Sequence, residues 1–177
     1  MNAVVASECA GLWRRTLLID ADGSADTGTD VLWLQGITGY VDSRGFAGTL
    51  HQRADVFEWH RDVELTPAGP HPDAGAMRWE AGTLIETGVH EDYVEHWVRQ
   101  AGSATPTGAL FLAAADATPG LLVRVGDFFG WAGGGEVFVD TVGGNRWNAL
   151  AIEARGDDLW VNGVRWSIES NEGNVYQ

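Results

Sequence analysis

The segment "DVFEWHRDVEL" (residues 55–65) decides the fold class. Its residues alternate with a period of two: one parity holds Phe57, Trp59, Arg61, Val63 and Leu65, and the other holds Glu58, His60, Asp62 and Glu64. This alternation is typical of a β-strand with one buried and one solvated face. Arg61 is the single charge on the apolar face, and a buried cation needs a partner. We therefore expect Arg61 to point into the protein.

Similar short runs, separated by turn residues, cover the rest of the chain. They occupy residues 11–20, 31–44, 45–51, 76–81, 83–89, 92–100, 108–115, 121–132, 146–155, 159–163 and 164–170. Residues 90–101 also show helical spacing, but their valine and aromatic content favours a strand. Roughly nine to eleven strands with short links predict an all-β protein. We expect residues 1–177 to form one domain, a single antiparallel up-and-down barrel of about 8–10 strands.

The composition limits the classes of partner. The 177 residues carry a net charge of −14, which argues against nucleic acid and against an anionic membrane surface. All 11 basic residues are arginines, so chemistry that needs a lysine is excluded. The single Cys9 cannot form an internal disulfide, and the first residues lack the pattern of a signal peptide. We expect a cytoplasmic monomer or homodimer that binds neither nucleic acid nor membrane.

The motif Gly11-Leu12-Trp13 and several longer stretches carry a family resemblance. The stretches are "GLWRRTLL", "DTGTDVLWLQ", "YVDSR", "GFAG", "EWHRDVEL" and "VGDFFGWA". With them the chain resembles a lipocalin-like (calycin) β-barrel family of small, mostly uncharacterised bacterial proteins, distantly related to a fungal casein-kinase-interacting lipocalin-like protein. The resemblance implies a barrel with a central cavity, in which Trp13 plugs one end and Arg155 or Arg165 packs across it. It implies no activity.

Residues that share a parity on neighbouring strands are the candidates for the lining of that cavity. The predicted ligand-binding residues are Trp33, Tyr40, Arg44, Trp59, Arg61, Tyr93 and Trp97. Flat aromatic rings offer a large contact area, and a few polar groups orient a ligand. We therefore expect the protein to bind a small, largely apolar molecule, aromatic or polyketide-like, in the barrel. Arg61 would then hold a polar head group of the ligand, or else form an internal ion pair with Glu86 or Glu95.

Two other functions are compatible with the same residues. In a cofactor-free enzyme for cyclisation, isomerisation or decarboxylation, Glu86, Glu95 and His90 would be the acid and base residues, because apolar burial raises the pKa of a carboxyl group. In a protein-interaction module the barrel would be filled by its own side chains. No two histidines lie at ligand spacing on one strand face, so we expect no metal site and no cofactor.

Overall fold

A computed structural model describes residues 2–176, and it confirms an all-β fold with a closed antiparallel barrel. A 3-10 helix spans Ala6–Glu8 and an α-helix, α1, spans Asn145–Leu150. The strands of the first half are β1 Gly11–Ile19, β2 Ala25–Asp26, β3 Leu32–Gln35, β4 Gly39–Asp42, β5 Phe46–Arg53, β6 Val56–Glu64, β7 Asp73–Glu80, β8 Thr83–Gly88 and β9 Val94–Arg99. Those of the second half are β10 Thr107–Ala113, β11 Pro119–Val125, β12 Phe128–Gly133, β13 Glu136–Thr141, β14 Glu153–Arg155, β15 Asp158–Val161 and β16 Val164–Gly173.

Eight strands of the first half close the barrel. They follow the order β1-β3-β4-β5-β6-β7-β8-β9, and β9 returns to pair with β1, while β2 extends the edge of β1. Each pairing is antiparallel, so the inward residues come from alternate positions of every strand. Segment 92–100, where a helix was the alternative, is the strand β9.

Trp13 closes one end of the barrel, as the G-x-W motif predicts. Its side chain is fully buried, its indole stacks on Trp33 with ring centroids 5.7 Å apart, and its Nε1 donates a hydrogen bond to the carbonyl of Cys9. The arginine that packs across it is Arg99, whose guanidinium carbon lies 4.6 Å from the ring centroid.

The expectation of Arg155 or Arg165 in this position was wrong. Arg155 lies over Trp160 and pairs with Glu153, and Arg165 pairs with Asp158, all in the second half of the chain. The physical reason is that β9, not a later strand, is the last strand of the barrel and lies beside β1.

The second half forms a separate curled sheet in the order β13-β12-β11-β10-β16-β15-β14. Its inner face packs on the outside of the barrel, where Val123 and Ala132 belong to the same buried cluster as Leu34 and Val41. Gly130 lets the two backbones approach, since a Cβ there would lie 2.6 Å from Cβ of Val41. Strands 107–173 therefore add a second layer beside the barrel.

Several local features differ from the sequence-based expectation. Residues 31–44 and 121–132, each expected as one run, form the paired strands β3–β4 and β11–β12. Residues 146–155, expected as a strand, contain α1, because Trp147 and Leu150 lie at helical spacing and pack inward. In β6 the pairing with β5 shifts between Ala47 and Gly48, so the alternation breaks after Arg61. Val63 consequently packs against the barrel's outer cluster and not inside with Trp59.

Replacing Trp13 with alanine tests the plug. We expect Trp13→Ala to lower the free energy of unfolding by about 3–5 kcal/mol, because a large buried side chain leaves a cavity. Trp160→Ala is the control, since Trp160 is only partly buried and lies in the second sheet. Urea unfolding followed by circular dichroism measures both. A loss below about 1 kcal/mol for Trp13→Ala would mean that Trp13 does not close the barrel.

Candidate functional site

The barrel interior is lined by aromatic rings that fill most of it. Trp33 lies edge-on to both Trp59 and Trp97, with ring centroids 5.6 and 5.7 Å apart. The remaining void between Trp33, Phe46, Trp59, Trp97 and the nearby charged side chains is about 10 Å³. A space of that size holds about one water molecule. In this conformation an aromatic ligand therefore has no room in the centre of the barrel.

A buried ion network crosses the interior beside these rings. Glu95 Oε1 accepts from Arg15 Nη1 at 2.8 Å and from Arg44 Nη1 at 3.3 Å. Arg44 also forms a two-point contact with Asp42, with Nε–Oδ1 and Nη2–Oδ2 distances of 3.0 and 2.8 Å. Arg44 lies at the turn between β4 and β5, and its side chain remains 36% exposed. The cations Arg15 and Arg44 are thus both committed to internal carboxylates.

Glu86 lies directly opposite Glu95 in the β8–β9 pairing, and no cation among the described residues 2–176 forms a salt bridge with it. Burial, and next the charge of Glu95, raise the pKa of Glu86 well above its ordinary value. Its Oε2 accepts from Trp97 Nε1 at 3.1 Å, and its Oε1 lies 2.7 Å from the hydroxyl of Tyr93. Both carboxyl oxygens of Glu86 thus accept a hydrogen bond, Oε1 from the hydroxyl of Tyr93 and Oε2 from the indole N–H of Trp97.

Arg61 is the third interior cation, and it is the least well paired. Its guanidinium carbon lies 3.7 Å from the ring centroid of Phe46, and its Nη2 lies 3.4 Å from Asp73 Oδ2. A second carboxylate, Glu64, is 3.9 Å away. The Nε of Arg61 is buried and has no hydrogen-bond partner among residues 2–176. Burial also raises the pKa of Asp73, which weakens it as an ionic partner.

A pocket of about 120 Å³ lies beside Arg61 at the open end of the barrel, and we call it the mouth pocket. The loops β6–β7 and β8–β9 meet there, opposite the end that Trp13 closes. It is lined by Arg61, Ala68, Gly69, His71, Pro72, Asp73, Ala74, His90, Glu91 and Tyr93. The imidazoles of His71 and His90 stack across it with centroids 5.9 Å apart.

The structure brings nearly all of the predicted site residues together. Trp33, Trp59, Trp97, Arg44, Glu86 and Glu95 share the interior, and Arg61 and Tyr93 lie between it and the mouth pocket. Tyr40 is buried on the wall with its hydroxyl 3.3 Å from the carbonyl of His60. His90 lies outside the interior, at the mouth.

The expected partner of Arg61 was wrong, because Glu86 contacts Tyr93 and Trp97 and Glu95 contacts Arg15 and Arg44. Sequence reasoning missed Arg15 and Asp73 as interior residues. Arg15 shares its parity with Trp13 on β1, which is the signal that places it inside. Asp73 begins β7 directly after a proline-containing loop, where no alternation is visible.

The described residues 2–176 contain no group of three or more histidine, cysteine or carboxylate side chains arranged to hold a metal ion. In the same part of the chain no helix is long and apolar enough to cross a membrane. The side chains that line the mouth pocket include guanidinium, carboxyl, phenol and imidazole groups. Comparison with family models, with curated proteins and with solved structures finds no match for this chain.

The protonation of Glu86 makes stability depend on pH. Its pKa is raised in the folded protein, so the folded state keeps a proton that the unfolded chain releases, and stability falls as pH rises from the ordinary 4.5 towards the raised pKa. The slope for one such group reaches about 1.4 kcal/mol per pH unit. Glu86→Gln preserves both hydrogen bonds without ionising, so we expect it to remove this slope and to be more stable than the wild type at neutral pH.

Urea midpoints between pH 4 and pH 8 measure the difference in stability between the wild type and Glu86→Gln. The raised pKa of Asp73 also makes stability depend on pH, but this contribution cancels because both proteins retain Asp73. The matched control is Glu95→Gln, which leaves Arg15 without its carboxylate and Arg44 with Asp42 alone. We expect a loss of about 3–5 kcal/mol for that variant. If Glu86→Gln is the less stable protein at neutral pH, then Glu86 is ionised in the folded state.

Proposed function

We propose that this protein binds a small, largely apolar molecule whose carbonyl or carboxylate head group enters the mouth pocket. The observation that carries the proposal is that Arg61, whose buried Nε has no partner among residues 2–176, lines the mouth pocket together with Tyr93. Arg15 and Arg44, in contrast, each donate to an internal carboxylate at 2.8 Å. A head group with acceptor oxygens would complete the hydrogen bonding of Arg61.

Tyr93 supplies the second donor. Its hydroxyl donates to Glu86 Oε1 at 2.7 Å and lies a long 3.4 Å from the carbonyl of Ala74. We propose that a ligand oxygen in the mouth pocket draws this hydroxyl away from Glu86. Burial and the neighbouring Glu86 raise the pKa of Tyr93, so its hydroxyl keeps its proton. Tyr93 therefore presents an O–H donor at the mouth pocket beside the guanidinium of Arg61.

The dimensions of the pocket limit what is enclosed. A volume of about 120 Å³ is below the range of about 300–1,000 Å³ that holds a drug-sized ligand. The head group fits inside, and the apolar part of the ligand extends along the loops of the mouth. We therefore propose that the ligand binds at the open end, whereas the sequence suggested the centre of the barrel. Membership of the lipocalin-like family is part of this proposal, and the closed eight-stranded barrel supports it.

An acid–base enzyme is the second candidate, and the Glu86–Tyr93 contact favours it. With a carbonyl ligand, Tyr93 would donate its proton to the carbonyl oxygen and take the proton of Glu86, while His90 would remove a proton from the adjacent carbon. The product is an enol, with Glu86 ionised and His90 protonated. Exchange of that carbon-bound proton in D₂O, faster in the wild type than in Glu86→Gln, would identify this activity.

Exchanging Arg61 for methionine tests the binding site. We expect Arg61→Met to weaken binding of 3-phenylpropionate by about 10- to 100-fold, since a charged hydrogen bond contributes about 1.5–3 kcal/mol. Binding of the hydrocarbon propylbenzene should change little. Tyr93→Phe should weaken the binding of 3-phenylpropionate and of the corresponding amide to the same extent. Arg78→Met, at an exposed position on β7, is the matched control for charge.

Isothermal titration calorimetry measures these affinities, with urea midpoints to confirm folding. Ala68→Trp fills the mouth pocket from an exposed loop position and should abolish binding of the carboxylate. Equal affinities for 3-phenylpropionate in the wild type, Arg61→Met and Ala68→Trp would refute the proposal.

A further inference from the structure

The second sheet contains a pocket that is larger than the mouth pocket. It has a volume of about 370 Å³ and lies between the β12–β13 hairpin, α1 and the β15–β16 hairpin. We call it the second-sheet pocket and define it by Trp131, Phe138, Ala149, Leu150, Val161 and Trp166, which are among its lining residues. The volume falls in the range of about 300–1,000 Å³ that small-molecule sites occupy. It shares no residue with the mouth pocket.

The floor of this pocket is apolar and aromatic. Trp131 and Trp166 are buried and stand at 90° to each other, with ring centroids 5.5 Å apart. Leu150 and Val161 are buried beside them. A perpendicular indole pair offers both a ring face and a ring edge to a third aromatic ring.

Two glycines leave the space that the indoles of Trp131 and Trp166 occupy. A Cβ on Gly133 would lie 2.7 Å from Cζ2 of Trp131 and 3.0 Å from Cη2 of Trp166. A Cβ on Gly120 would lie 2.6 Å from Cζ3 of Trp166. Any larger residue at these positions would displace the indoles.

The charged groups of the pocket lie at its rim. Arg146 lies over Phe138, with its guanidinium carbon 4.6 Å from the ring centroid, and its Nε is 3.8 Å from Asp140 Oδ2. Glu136 is the other charged lining residue. With one cation and one carboxylate, the rim favours neither a cationic nor an anionic ligand. The chain's net charge of −14 disfavours the binding of an anion.

We propose that the second-sheet pocket is a separate binding site for an uncharged, flat aromatic molecule. The floor favours aromatic rings, because it combines an indole pair with aliphatic side chains. It disfavours a charged group, since no lining residue at the floor would pair with it. This site goes beyond the proposed function of the mouth pocket and does not depend on it.

The test uses N-phenyl-1-naphthylamine as an uncharged aromatic probe. We expect saturable binding to the wild type, with shifts of the indole N–H signals of Trp131 and Trp166 in a ¹H–¹⁵N spectrum. Ala149→Trp fills the pocket from an exposed helical position. It should lower the affinity for the probe at least about tenfold, which is a loss of about 1.4 kcal/mol of binding free energy. Val164→Trp, at an exposed rim position, is a second blocking variant if the first fails to fold.

Ala68→Trp is the matched control, because it blocks the mouth pocket and should leave the probe's affinity unchanged. The sulfonated analogue 8-anilino-1-naphthalenesulfonate should bind more weakly than the uncharged probe. The proposal is overturned if the probe does not bind, if it shifts the indole signals of Trp33, Trp59 and Trp97 instead, or if Ala68→Trp weakens it as much as Ala149→Trp. It is also overturned if sedimentation shows a dimer that Ala149→Trp dissociates, since a second copy would then cover the pocket.

Discussion

The shared carboxylate of Glu95 is the interaction on which the interior of the barrel depends. It engages Arg15 and Arg44 together, and Asp42 completes the contacts of Arg44. With both cations used there, Glu86 stands opposite Glu95 without a counter-ion, and its neutral form is favoured. The three interior guanidinium groups contact the carboxylates of Asp42, Asp73 and Glu95.

That arrangement also explains why Arg61 differs from the other two cations. The carboxylate closest to Arg61 is that of Asp73, which is 3.4 Å away and has a raised pKa. The flat face of the Arg61 guanidinium packs on the ring of Phe46. Tyr93 donates to Glu86 Oε1 at 2.7 Å. Arg61 and Tyr93 are far apart in sequence, yet both line the mouth pocket.

The alternation of apolar and polar residues predicts much of the barrel correctly, and the places where it fails have physical causes. The parity of "FEWHR" places Phe57, Trp59 and Arg61 correctly, and the Trp13 motif correctly indicates the closed end. The bulge after Arg61 turns the side chain of Val63 to the other face of the strand. Its signal in the sequence is Gly48, where a Cβ would lie 1.9 Å from the carbonyl oxygen of His60. Alternation says nothing about which strands pair, so neither the separate second sheet nor the partners of Arg61 follow from it. The filled interior depends on how the indoles pack, which no local pattern specifies.

The side-chain spectrum of ¹⁵N-labelled arginine tests the central claim most directly, because it reports on Arg61 Nε itself. Titration with 3-phenylpropionate should move one arginine Nε–H signal saturably, and that signal should be the one missing from the spectrum of Arg61→Lys. The signals of Arg15 and Arg44 should stay in place, since internal carboxylates already hold them. The account is contradicted if no arginine signal moves, or if the signal that moves belongs to another arginine.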